Sequence, residues 1–212
     1  MDEKFSGKII NIPIVSPAKE DEKQDIARSF YLSMVLANLM LAFFKSQSDI
    51  VADSMHIFDY EVSKGDTLAC YYAGIAYFRN LDNSGRQGKG VNLLIKAMNA
   101  GIEDDGEYIQ AIDCVRLGQF VNQDEKKAAR LYRKLSQMGV SEGTYRLAYC
   151  YEWGIGVKKD SKKAEKLYEE AAKQGNIDAK SKIISDDAGE LFGGKTRKWK
   201  YLLSKAPRII EL

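Results

Sequence analysis

The chain resembles itself at a nearly fixed step, and this constrains its fold more than any other feature. KAEKLYEEAAKQG (163–175) lies over KAARLYRKLSQMG (127–139) at an offset of 36. Ala164 falls on Ala128, Leu167 on Leu131, Tyr168 on Tyr132 and Gly175 on Gly139. A further step of 38 reaches KGVNLLIKAMNAG (89–101), where Leu93 and Leu94 take the Leu-Tyr positions and Gly101 the terminal glycine. One more step of 36 gives MHIFDYEVSKG (55–65), a looser fit through Ile57, Phe58 and Gly65. The segments between superpose as well, LAYCY (147–151) over AIDCV (111–115) and AGIAY (73–77). Self-similarity at this period marks a stack of helix pairs. Each helix shows one apolar face at helical spacing. A lone pair cannot bury both faces, whereas stacked neighbours build one continuous core. The expected fold class is all-α, an α-solenoid of stacked antiparallel helix pairs.

The join inside one unit, WGIGVKKDSKKA (153–164), explains how a pair is made. The first helix of the pair, helix A, ends near Trp153. Gly154 and Gly156 supply the positive φ of a tight reversal. Val157 folds back as an apolar plug. Asp160 precedes the second helix, helix B, where a short carboxylate caps free backbone N–H groups. Ala164 and Ala171 are small enough for close approach of the two helices, and Gly175 ends helix B. Gly-x-Gly is a turn device here, because a phosphate loop needs a preceding strand and a G-x-G-x-x-G pattern.

At these residues the chain resembles Sel1-like repeat proteins, relatives of the tetratricopeptide repeats. Leu147, Ala148, Tyr151, Gly154, Gly156, Val157, Asp160, Lys163, Ala164, Leu167, Tyr168, Ala171, Ala172 and Gly175 follow the pattern. Leu167 stands where the family often has Trp, and Ala148 where it has Gly. In the unit before, Gly118, Asp124, Lys127, Ala128, Leu131, Tyr132 and Gly139 agree, but Phe120 replaces the second bend glycine. A bend of different shape is expected there. The unit at 66–101 keeps Ala73, Gly74, Tyr77 and Gly101 with a longer polar link. The expected organisation is an extended N-terminal arm (1–24), a degenerate helix pair (25–65), three repeats (66–101, 102–139, 140–175) and a degenerate cap (176–212). In that cap Trp199 and Leu202 would cover the open end of the core, and Pro207 would close the helix. The resemblance further implies a right-handed superhelix and a bacterial adaptor used in signalling, secretion or host interaction, without catalysis of its own.

Composition narrows the function classes. Lys plus Arg is 32 against 30 Asp plus Glu, so binding driven by phosphate neutralisation is disfavoured. Cys70, Cys114 and Cys150 are an odd number, with no CxxC and a single histidine, which disfavours a zinc site. A reducing, cytoplasmic setting is expected. MDEKFSGKII lacks the pattern of a signal peptide. Cys114 and Cys150 hold equivalent places in successive A helices, roughly 8–10 Å apart in packed helices, too far for a disulfide. Buried free thiols are expected. Ser29 to Phe44 carries no charge over sixteen residues. A helix buried on most sides is preferred there over a membrane anchor, because a spanning helix needs roughly 20 apolar residues. The β-branched stretch GKIINIPIVSP (7–17) reads equally as an arm packed on the solenoid or a second copy, and as a disordered segment.

A partner site follows from the resemblance, in which helix A lines the concave face. With Leu147, Ala148 and Tyr151 turned to the core, the inward positions are Glu142, Tyr145, Tyr149, Glu152 and Trp153. One unit back they are Gly106, Ile109, Asp113, Arg116 and Leu117, and then Leu68, Tyr71, Ile75, Phe78 and Arg79. The candidate binding set is Tyr71, Phe78, Arg79, Asp113, Arg116, Tyr145, Tyr149, Glu152 and Trp153, since aromatics and arginine dominate interface energetics. The competing reading makes the aromatics repeat-to-repeat packing and the charges local ion pairs of small worth. No catalytic, metal or cofactor residues are assigned. His56, near Asp59 and Tyr60, is expected to be a surface histidine. Asp104, Asp105 and Glu107 lack a calcium-loop spacing and serve the start of a helix. Three functions remain: an adaptor binding a partner segment in the groove, an immunity-type or regulatory protein inhibiting one enzyme or toxin, and an enzyme whose acid–base constellation does not show.

Overall fold

The computed structural model describes residues 21–104 and 106–184, with side chains from Ile26 onward. The proposed arm lies almost wholly outside these residues, as do Asp105, Trp199, Leu202 and Pro207. The described residues form α1 (Asp21–Phe44), α2 (Ser48–Ser63), α3 (Thr67–Phe78), α4 (Gln87–Asn99), α5 (Glu107–Leu117), α6 (Glu125–Gln137), α7 (Ser141–Trp153) and α8 (Ser161–Lys173). Residues 177–184 are again helical, and no strand occurs among the described residues.

The helix ends repeat at the interval read from the sequence. Each B helix closes with a backbone bond from the residue after its terminal glycine: Asp66 to Glu61, Ile102 to Ala97, Val140 to Leu135 and Asn176 to Ala171, all 3.0–3.2 Å. This 6→1 bond satisfies carbonyls that a helix end leaves orphaned. The side chains of Asp124 and Asp160 accept from Lys127 N at 2.8 Å and Lys163 N at 3.0 Å, capping α6 and α8.

The two A-to-B bends have one shape. Gly118 (φ +72) and Gly154 (φ +76) are both left-handed, and so are Phe120 (φ +61) and Gly156 (φ +65). Gln119 N bonds Cys114 O and Ile155 N bonds Cys150 O, each at 2.9 Å. The expected difference at Phe120 is therefore not found: a phenylalanine holds the glycine's backbone conformation. Tertiary packing overrides a local preference of about 1–2 kcal/mol. The bends lie on the start of the preceding B helix, as the glycines show. A Cβ on Gly156 would sit 2.1 Å from the Glu125 carbonyl oxygen. In the unit before, the bare position stands on the opposite side, where a Cβ on Gly88 would sit 2.4 Å from the Phe120 oxygen.

The core runs unbroken from α1 to the residues after α8 and is filled by large side chains from both helices of each pair. Phe58, Tyr77, Leu94, Met98, Tyr108, Ile112, Tyr132 and Leu135 are all essentially excluded from solvent. Burying each stabilises the stack by about 1.5–3 kcal/mol. Ala128, Ala164 and Ala171 are buried at the close approaches of α6 and α8. Helix α1 departs from expectation. Only 22% of the apolar window Ile26–Phe44 is buried. Leu32, Val35, Leu39 and Ala42 form one inward stripe, while Ile26, Phe30, Leu41 and Phe44 are 57–80% exposed. The preferred reading of a helix buried on most sides is thus corrected: α2 and α3 cover only one of its faces.

Candidate functional site

The last turns of the A helices and the bends after them carry exposed apolar side chains in the repeats. Leu117 and Trp153 are the final residues of α5 and α7, and both remain open to solvent, at 50% and 60%. Tyr149, one turn earlier on α7, is 38% exposed and lies 6.2 Å from the Trp153 ring. Lys159 approaches the Trp153 ring from the bend, at 6.0 Å. Phe120, 58% exposed, meets Phe78 edge-on at 6.4 Å. These residues are exposed because they sit where a helix ends and the chain reverses, beyond the reach of the neighbouring helices.

The remaining candidates are held within the solenoid. Asp113 accepts from Tyr132 Oη at 2.6 Å and from Arg116 at 3.1–3.2 Å, with Arg146 at 3.7 Å. Burial pushes the Tyr132 hydroxyl well above its usual range, and the bond to Asp113 pushes it further. Arg146 continues to Glu142 at 2.9 Å, and Glu142 accepts from Asn176 at 2.7 Å. Glu152 accepts from Tyr168 Oη at 2.6 Å and pairs with Lys182 at 3.0 Å. Burial alone would raise the Glu152 carboxyl, but the bonds from Tyr168 and Lys182 outweigh it and hold the carboxyl below its ordinary value. Asp113, Arg116 and Glu152 thus tie helix A to helix B and to the next unit. Single surface pairs contribute little, but connected networks of this kind fix register.

At the N-terminal end the same holds. Tyr71 donates to Asp104 at 2.8 Å, and its ring meets Tyr108 edge-on at 5.9 Å. Burial raises the Tyr71 hydroxyl far above its usual range. Arg79 pairs with Glu107, whose second carboxylate oxygen is buried with no hydrogen-bond partner among the described residues. Tyr145 packs on the Tyr168 ring at 5.5 Å. Ile75 and Ile109, assigned to inward exposed positions, are 6% and 7% exposed and belong to the core. The register was off by part of a turn there, because the stack rotates these helices further inward. Phe120 was missed as a surface residue. Its signal was present: a large apolar side chain in a glycine's place on a bend has no core to enter.

Other chemistry-bearing residues are accounted for. His56 is exposed and lines an open depression of about 590 Å³ with Met55, Asp59 and Arg86. Asp59 is engaged there by Tyr77 at 2.7 Å and Lys89 at 2.8 Å. Among the described residues no group of three His, Cys, Asp or Glu gathers to hold a metal ion. Cys70, Cys114 and Cys150 are free and buried, and burial raises the Cys150 thiol to about 11.

Paired helices repeating at 36 to 38 residues, with conserved end geometry and a single running core, define an α-solenoid. Residues 111–140 and 141–176 of this α-solenoid match the Sel1 repeat family. Among solved structures it is similar to c5321, described as a protective antigen present in uropathogenic Escherichia coli strains displaying an SLR fold. That match has 26% identity and a TM-score of 0.58, over 68% of this chain and 31% of the other. The chain therefore spans about a third of that relative's length. It is also similar to a Sel1 repeat protein from Oxalobacter formigenes, with 27% identity, a TM-score of 0.48, and coverage of 61% of this chain and 96% of the other. No curated protein sequence matches the chain. Sel1 repeats are in general protein–protein interaction units.

Proposed function

We propose that this chain is a non-catalytic adaptor whose Sel1-repeat solenoid binds a segment of a partner protein along the last turns of its A helices. One observation carries the reading. Leu117 and Trp153 occupy equivalent positions 36 residues apart and are both left half-exposed or more, and Tyr149, beside Trp153, and Phe120 are exposed as well. A folded monomer gains nothing by keeping Leu117 and Trp153 in water at a repeated place, whereas an interface draws its energy from such anchors. Arg116 and Asp113 then act as supports that fix the angle of α5 rather than as contacts. The three buried free thiols are compatible with the cytoplasmic setting expected from cysteine usage.

Affinity capture from the native lysate tests this, comparing the wild type with a Tyr149→Ala, Trp153→Ala double variant. Both side chains are exposed, so circular dichroism should be unchanged. A protein held by the wild type and lost by the variant supports the reading. Equal capture by both moves the site away from the A-helix ends and refutes it.

A further inference from the structure

The outward face of α1 carries a pattern that the adaptor reading does not use. Its apolar residues fall at Phe30, Met34, Ala37, Leu41 and Phe44, alternate steps of four and three. This is the 3.5-residue spacing of a helix that packs against another helix. Phe30, Leu41 and Phe44 are 67%, 57% and 80% exposed, with Ile26 at 72% extending the stripe, and Ala37 is exposed at its centre. The order of sizes is the same read in either direction: Phe, a long side chain, Ala, a long side chain, Phe. A two-fold axis through Ala37 sets Phe30 against the mate's Phe44 and brings Met34 beside Leu41. The small residue falls at the crossing, where backbones come closest.

We infer that a second copy of this chain docks on α1, the two α1 helices pairing antiparallel about Ala37. Such an isologous contact needs only one self-complementary patch. At roughly 100–150 Å² of exposed surface each, Phe30, Leu41 and Phe44, with smaller shares from Met34 and Ala37, supply about 450 Å² per copy and about 900 Å² per pair, within the range of weak, transient interfaces. A bilayer suits this helix less well, although Ile26–Phe44 has the length and composition of a span. Its other face is seated on the protein, where Arg28 is paired with Glu61 at 2.6 Å and also with Asp66. Crossing a membrane would strip Leu32, Val35, Leu39 and Ala42 from the core and break these pairs.

The full chain itself supplies the test. All three native cysteines are buried, so Ala37→Cys introduces the one accessible thiol. Mild oxidation should convert this variant to a disulfide-linked dimer on a non-reducing gel. Phe44→Cys should not link to itself, because antiparallel mates place its two copies about 20 Å apart. A mixture of Phe44→Cys and Phe30→Cys should link. Sedimentation equilibrium should show a concentration-dependent dimer for the wild type and a monomer for Leu41→Glu, with unchanged circular dichroism. A wild type that stays monomeric at its solubility limit overturns the inference. So does preferential self-linking of Phe44→Cys, which means parallel packing, or a monomer that binds neutral phosphatidylcholine vesicles through α1.

Discussion

Replacing Gly156 by alanine tests how the repeats are locked together, because two separable effects meet at that residue. The first is conformational: φ is +65, a region that costs an L side chain about 1–2 kcal/mol, partly offset by the less flexible unfolded chain. The second is steric. The new Cβ would lie 2.1 Å from Glu125 O, 2.4 Å from Glu125 C and 2.8 Å from Lys126 N, all main-chain atoms at the start of α6. Main chain cannot rotate aside, so the bend must retreat from α6 and open the contact between successive units. Overpacking of this kind costs about 1–3 kcal/mol more. Gly154→Ala serves as the internal control. Its φ is +76, but the nearest atom to its Cβ is Lys159 Cβ at 3.4 Å, an ordinary contact. The expected loss is about 1 kcal/mol for Gly154→Ala and about 2–4 kcal/mol for Gly156→Ala. For a chain of this size that becomes about 2–4 °C against about 4–16 °C in Tm. Thermal melts followed by circular dichroism give the comparison, and amide exchange should show α6 and α8 losing protection first in Gly156→Ala. Equal Tm losses in the two variants would refute the claim that the bend is seated on α6.

Three further outcomes are expected. Arg79→Ala should destabilise the fold by about 1–2 kcal/mol in urea unfolding, since it leaves Glu107 buried without its cation; an unchanged midpoint would return Arg79 to the list of pure surface residues. Glu152 has a folded pKa below its ordinary 4.5, so its contribution is fully present above about pH 4.5 and is lost as pH falls through the folded value. Acid titrations of stability should therefore be shallower in Glu152→Gln than in the wild type, and parallel curves would contradict the Tyr168 and Lys182 contacts. In the native protein at neutral pH a thiol reagent should react slowly with Cys70, Cys114 and Cys150, and denaturation should release three thiols. Release of a single thiol would mean that two of the three are bridged, against their buried, free state here.

What could be read from the chain and what could not divide along the range of the interactions involved. The helix-pair period, the Asp160 cap and the terminal glycines were legible because each answers to backbone groups within a few residues. The site was legible only in part. Tyr149 and Trp153 stand exposed on α7, but Asp113, Arg116 and Glu152, alike on paper, are drawn into bonds with Tyr132, Arg146, Tyr168 and Lys182. Those partners stand 16 to 33 residues away, and no local pattern announces which of them will arrive. Ile75 and Ile109 went inward for the same reason: the stack sets the rotation of each helix, and a single helical stripe leaves that rotation uncertain by part of a turn.

The sequence by itself determined that the chain would stack helix pairs, and where each pair would turn, because period, glycines and caps act through short-range backbone geometry. Tertiary structure alone decided that Phe120 would hold a left-handed bend against its own preference, since the seat offered by Gly88 fixes that reversal from outside. It also decided that α1, apolar on nearly every side, would bury one stripe and leave Phe30, Leu41 and Phe44 in water. A hydrophobic pattern states what a helix wants covered, but only the arrangement of its neighbours states which face they reach.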